Sequence, residues 1–195
     1  MRLIKTQAAS LLTLLLVTGI SVGHVGCASE RTVSPQDERA IYLTAIDTLV
    51  STLFTDWGTH PGSPESRIIV RRTSLFLPEL EGAAVFGDSF PSLADTFLSI
   101  NRSSKRLDDI LADGPNVRLV PEDSVTPLGN LEKLLHRYPE TVVLQLSKIA
   151  FDELGTRALV EIGVLCPLCG RADRYLFEFR NGTWIVVRKE EAWIS

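Results

Sequence analysis

Four runs in the last third of the chain are rich in β-forming residues: TVVLQLSKIAF (141–151), RALVEIGVL (157–165), DRYLFEF (173–179) and TWIVVRK (183–189). They are separated by Asp152-Glu153-Leu154-Gly155, by CPLCGR and by Asn181-Gly182, a pattern that predicts an antiparallel meander. Asn-Gly between such runs calls for a type I′ turn, which needs positive φ at both central residues. A two-residue turn there would oppose Phe179 to Trp184, Phe177 to Val186 and Tyr175 to Arg188. The face these pairs share is core-like, and helices are expected to pack on it.

Upstream the spacing becomes helical. Ser34-Pro35-Gln36-Asp37 reads as a helix start, with Ser34 as cap, Pro35 in the first turn, and Asp37 and Glu38 complementing the dipole. Tyr42, Ile46, Leu49, Val50 and Leu53 then recur on one face, and Gly58 is expected to stop the helix after Trp57. RIIVRRTSLFL, from Arg67, reads as a strand closed by Pro78. A second helix is predicted from Pro91 to about Leu111, bearing Leu93, Phe97, Ile100, Leu107 and Leu111, with a weak centre at Asn101-Arg102-Ser103-Ser104. Asn116 to Val120 suits a short strand. A third helix from Leu131 to Tyr138 carries Leu131, Leu134, Leu135 and Tyr138, and Pro139 closes it. The resulting expectation is an α+β fold, with N-terminal helices packed on one face of a C-terminal antiparallel β-meander.

The first 27 residues have a different character. Arg2 and Lys5 precede an apolar run from Ala8 to Ile20 and then small residues, the order of an export signal, and the run is too short to span a bilayer comfortably. Residues 28–36 then read as a polar linker and 37–195 as one domain, a size at which 45% hydrophobic residues can bury a sizeable core. Loss of Arg2 and Lys5 leaves 18 basic against 24 acidic residues. An acidic surface without basic clusters argues against nucleic acid and against electrostatic docking on anionic lipid.

Three cysteines bear on chemistry. HVGCAS, with Gly26 before Cys27, resembles a bacterial lipobox, which implies lipidation of Cys27 and a lipid anchor to a membrane; Ala28 in the next position implies an outer-leaflet site in a Gram-negative cell. His24 stands where that pattern has an aliphatic residue. The alternative is ordinary cleavage after Ala28. Either way Cys166 and Cys169 remain, and an exported chain with two thiols is expected to join them as a disulfide. CPLC lies between two strand runs, where Pro167 and Gly170 suit a turn, so the bond would close a hairpin and contribute about 2 kcal/mol. The alternative is a thiol–disulfide exchange pair, although such pairs begin a helix whose dipole lowers the thiol pKa. A metal site would have to recruit His60 and His136, which show no ligand spacing, so neither metal nor cofactor is expected.

AVFGDSF (84–90) resembles the first block of GDSL-type esterases, which implies Ser89 as nucleophile. Those enzymes also carry a late Asp-x-x-His pair, and here the residue three before His136 is Lys133. A loop with Ser89 near a helix N-cap is the competing reading. Asp56 with His60, Asp108-Asp109 and Glu190-Glu191 read as solvated charge.

The C-terminal block resembles a set of exported bacterial proteins of unknown function through Ser147, Phe151, Ala158, Leu159, Val160, Cys166, Cys169, Gly170, Trp193 and Ser195. Its Trp-containing strands are also similar to nuclear-transport-factor-2-like and cystatin-like folds, which implies helices over a curved sheet; a likeness of fold confers no function. The expectation is therefore a non-catalytic cell-envelope protein that binds a small ligand or a protein between sheet and helices. Thiol–disulfide exchange through Cys166 and Cys169, and a Ser89 hydrolase, are the alternatives.

Overall fold

A computed structural model describes residues 30–56, 67–71, 89–111, 117–121, 123, 128–137, 141–165 and 170–194. Among the described residues three helices, α1 (Pro35–Asp56), α2 (Pro91–Ile100) and α3 (Leu128–Arg137), accompany seven strands. These are β1 (Arg67–Arg71), β2 (Val117–Val120), β3 (Thr141–Leu146), β4 (Ala150–Phe151), β5 (Arg157–Leu165), β6 (Arg171–Arg180) and β7 (Thr183–Ile194). All seven join one sheet, ordered β2-β1-β3-β5-β6-β7, with β4 also pairing with β5.

The α+β class and the antiparallel C-terminal part are as the pattern predicts: β3, β5, β6 and β7 pair antiparallel in succession. The sheet does not end there. β1 lies parallel to both β3 and β2, with Ile68 opposite Val142 on one side and Val117 on the other. The meander is therefore the antiparallel half of a mixed sheet. Parallel neighbours need long connections, and here these run through α2 and α3.

The helices also divide between two faces, where a single covered face was expected. Ala158, Val160, Ile162 and Val164 of β5 and Tyr175 and Phe177 of β6 form the main core with Ile41, Tyr42, Ile46, Leu49 and Leu53 of α1. The intervening residues point the other way. Leu159, Leu176 and Ala150 meet Leu93 and Phe97 of α2, while Val143 and Val120 meet Leu131 of α3. The reason lies in β5, whose residues Ala158 to Val164 are all buried. A strand apolar on both sides must be covered on both.

α2 ends at Ile100, well before Leu111. Asn101 caps it from a fully buried position, its Nδ2 donating to Phe97 O (2.9 Å) and Lys148 O (3.2 Å) and its Oδ1 accepting from Lys148 N (2.7 Å). The chain then changes sides. Leu93 and Phe97 sit under α2, whereas Leu107, Ile110 and Leu111 enter the main core, held by Arg39 Nη1 donating to Ile110 O (3.0 Å). The stripe expected on one helix is two short stripes on opposite faces.

Asn181 and Gly182 have φ of 52° and 83°, the two positive values the type I′ turn needs. Phe179 opposes Trp184 and Phe177 opposes Val186, as the turn dictates. Beyond that the register corrects the expectation: Leu176 meets Arg188 and Tyr175 meets Lys189, leaving Val187 as a bulge. A second shift between Ala172 and Asp173 leaves Ala192 unmatched.

Candidate functional site

On the face shared by α2 and α3, the apolar ends of the sheet are separated by a polar strip. Strand alternation places Gln145 of β3, Glu161 and Gly163 of β5, Arg174 of β6 and Glu190 of β7 side by side. Leu159 and Leu165 bracket it along β5, one beneath each helix. Gly163 makes the strip continuous across β5: a Cβ there would lie 2.8 Å from Gln145 Nε2 and 2.9 Å from its Cγ, so only glycine leaves room for the amide.

Glu161 is fully buried and Arg174 is 4% exposed, and Arg174 Nε donates to Glu161 Oε2 at 2.8 Å. The guanidinium also faces Glu190, with Nη1 to Oε1 3.7 Å. Charges so deep are tolerated only when paired and hydrogen-bonded. Sequence reasoning missed this group. One signal was there to read: a lone carboxylate inside RALVEIGVL and a lone guanidinium inside ADRYLF, on neighbouring strands.

The opposite face has its own buried carboxylate. Asp173 is 3% exposed; it pairs with Lys189 Nζ (2.9 Å), accepts from the Tyr175 hydroxyl (3.4 Å) and faces the charge of Arg171 Nη2 at 3.5 Å. Burial, then the Asp173 charge, pushes the Tyr175 phenol up. Burial does the same to Tyr42, whose hydroxyl donates to Ser147 O at 2.8 Å. Ser147, in the break between β3 and β4, accepts at Oγ from Glu161 N (2.8 Å) and donates to Lys148 O (2.9 Å). Its hydroxyl is consumed by the backbone.

A third group lies where α1 begins. Residues 30–34, expected as linker, lie against the sheet. Arg31 stacks on Phe179 with 3.7 Å from Cζ to the ring centroid, its N–H donates to Leu154 O (3.0 Å), and its guanidinium pairs with Asp37. Asp37 also accepts from Trp184 Nε1 (2.9 Å), Ser34 N (2.8 Å) and Ser34 Oγ (2.7 Å). Burial alone would raise the Asp37 carboxyl. The bonds from Trp184, Ser34 and Arg31 outweigh it and hold the group well below the usual carboxylate range.

The residues singled out from sequence fare unevenly. Cys27, Cys166 and Cys169 lie outside the described residues, as does His60. The strands flanking the cysteine pair are described: β5 and β6 are antiparallel up to Val164 opposite Arg171. Ser89 is exposed, and the N-cap of α2 is Phe90 with no side-chain bond, so Ser89 does not cap the helix. His136 is exposed in the last turn of α3. Ser89 precedes α2 and His136 lies in the last turn of α3, helices at opposite ends of the polar strip, and among the described residues no hydrogen bond joins the two. Lys148 Nζ donates to Ser103 Oγ (2.8 Å), and burial, then the Lys105 charge, lowers its pKa. Among the described residues no group of three metal-ligating side chains occurs, and no helix is long and apolar enough to cross a membrane.

No protein-family model, curated protein or solved structure matches the chain.

Proposed function

We propose that this is an exported, non-catalytic binding protein of the cell envelope, whose ligand is a small molecule bearing a positive group. The observation that carries the reading is the polar strip Gln145–Glu161–Arg174–Glu190, set between the apolar patches that pack under α2 and under α3. Among the described residues it combines two carboxylates, one guanidinium and one amide, which suits hydrogen bonding with a cationic preference. The remaining polar groups favour binding over catalysis. The Ser147 hydroxyl is spent on the backbone, and Asp37, Tyr42 and Tyr175 are all displaced away from neutrality, where a general acid or base would be of little use.

The reading includes an export signal over residues 1–27, a lipid anchor at Cys27 and a Cys166–Cys169 disulfide. The pairing of Val164 with Arg171 supports the last, because antiparallel flanks bring the two ends of the intervening hairpin together.

Native mass spectrometry of the protein purified from cells that export it tests both halves. A bound small mass is expected, lost in Glu161→Gln while the far-ultraviolet circular dichroism is kept. Protein carrying no bound mass would refute the binding half. Intact mass also reads acyl chains on Cys27 and two fewer hydrogens for the disulfide. Labelling of Ser89 by a fluorophosphonate, or a Cys166 thiol with pKa well below about 7.5, would refute the non-catalytic half.

A further inference from the structure

We propose that the outer edge of β7 is the interface of a symmetric dimer, in which two copies of the chain pair β7 to β7 antiparallel about a two-fold axis at Lys189. β7 is 12 residues long and is the last strand of the sheet; among the described residues no segment pairs with its outer side. A strand of that length presents a row of N–H and C=O groups to any other strand. Ile185 and Val187, 36% and 37% exposed, add apolar surface beside it.

Charges usually guard such an edge, and they do so when like meets like. Arg188-Lys189-Glu190-Glu191 changes sign at its middle, so antiparallel to itself it meets opposite charge. That is the reason to place a second copy here rather than an unrelated strand.

The bulges choose the alignment. Residues directly opposed across an antiparallel pair must point to the same face. Pairing with β6 puts Trp184, Val186, Lys189 and Glu191 on the α1 face, opposite Phe179, Phe177, Tyr175 and Asp173. Ile185, Arg188 and Glu190 take the other face, opposite Glu178, Leu176 and Arg174. A dyad at Lys189 satisfies this rule. It opposes Arg188 to Glu190 twice and Val186 to Glu191 twice, with Val187 skipped by its bulge. Lys189 then meets its own copy, and in each chain Asp173 lies 2.9 Å from the ammonium and offsets its charge.

Light scattering coupled to size exclusion, on protein purified from exporting cells and in detergent if it carries acyl chains, tests this. The wild type is expected to elute with the mass of a dimer. Arg188→Glu places two carboxylates together at both pairs and is expected to weaken the dimer at least about 10-fold. Glu190→Lys places two cations together and does the same. Mixing the two variants restores opposite charges at both pairs, and a heterodimer of wild-type strength is expected. Circular dichroism confirms that each variant folds. Should Glu190→Lys fail to fold, because Arg174 also faces Glu190, the concentration dependence of Arg188→Glu alone decides. A wild type that stays monomeric up to about 100 µM overturns the proposal. So does a dimer that both substitutions leave intact.

Discussion

Replacing Asp37 by asparagine tests whether the N-terminal group holds the fold together. Asparagine keeps the shape but removes the charge that pairs with Arg31 and weakens the acceptors for the Trp184 indole and for Ser34. A hydrogen bond to a charged group contributes about 1.5–3 kcal/mol net, and asparagine can still accept through its amide oxygen; a loss of about 2–4 kcal/mol at pH 7 follows. The pH dependence gives a second check. The folded-state pKa of Asp37 lies below that of the unfolded chain, so its contribution is complete above the unfolded value of about 4 and is lost as pH falls toward the folded one. Other carboxylates titrate in both proteins and cancel. Urea denaturation of wild type and Asp37→Asn, followed by far-ultraviolet circular dichroism, should therefore show an advantage about 1 kcal/mol smaller at pH 3 than at pH 7. A difference under about 0.5 kcal/mol at pH 7, or one that grows on acidification, would refute the reasoning.

Two further substitutions probe the geometry. Gly155 has φ of +64°, and a Cβ there would overlap Arg31 O, so Gly155→Ala should cost about 2–4 kcal/mol by denaturant titration; a neutral result would show that residues 30–34 do not lie against this turn. Glu161→Ala strands the buried Arg174 and should cost about 3–5 kcal/mol, whereas Glu161→Leu with Arg174→Met should recover most of it; a double variant as unstable as the single one would mean the pair does more than neutralise itself.

Local chemistry made parts of this fold legible. Asn181-Gly182 demands two positive φ values whatever surrounds it, and Ser34-Pro35 announces α1 through its own capping bonds. Long-range pairing was not legible. RIIVR carries nothing that says which strands flank it, so its parallel places beside β2 and β3 depend on the whole sheet. The two-sided burial of β5 could have been read from RALVEIGVL, which lacks the polar alternation of a one-sided strand. Asp37 was read as a helix-dipole residue because Trp184 lies 147 positions away, and no spacing rule reaches that far.

The bulge at Val187 shows why a correct turn gave a register that fails after two pairs. Carried on without a bulge, the alignment set by Asn181-Gly182 would place Lys189 opposite Arg174 and Glu190 opposite Asp173. Arg174 and Asp173 are both nearly buried, where like charges are least screened and cost most. One extra residue exchanges the partners: Lys189 reaches Asp173 at 2.9 Å and Glu190 approaches Arg174 at 3.7 Å. A bulge removes a ladder position and strains the strand locally, a cost of about one hydrogen bond, whereas two buried like-charge pairs would cost several times that. The turn therefore governs β7 as far as Val186, and the buried charges of β6 govern it from there. Strand alternation keeps Arg188 and Glu190 on one face, two residues apart on either side of Lys189, and the shift decides that this is the face of Arg174; that spacing lets the edge of β7 complement itself.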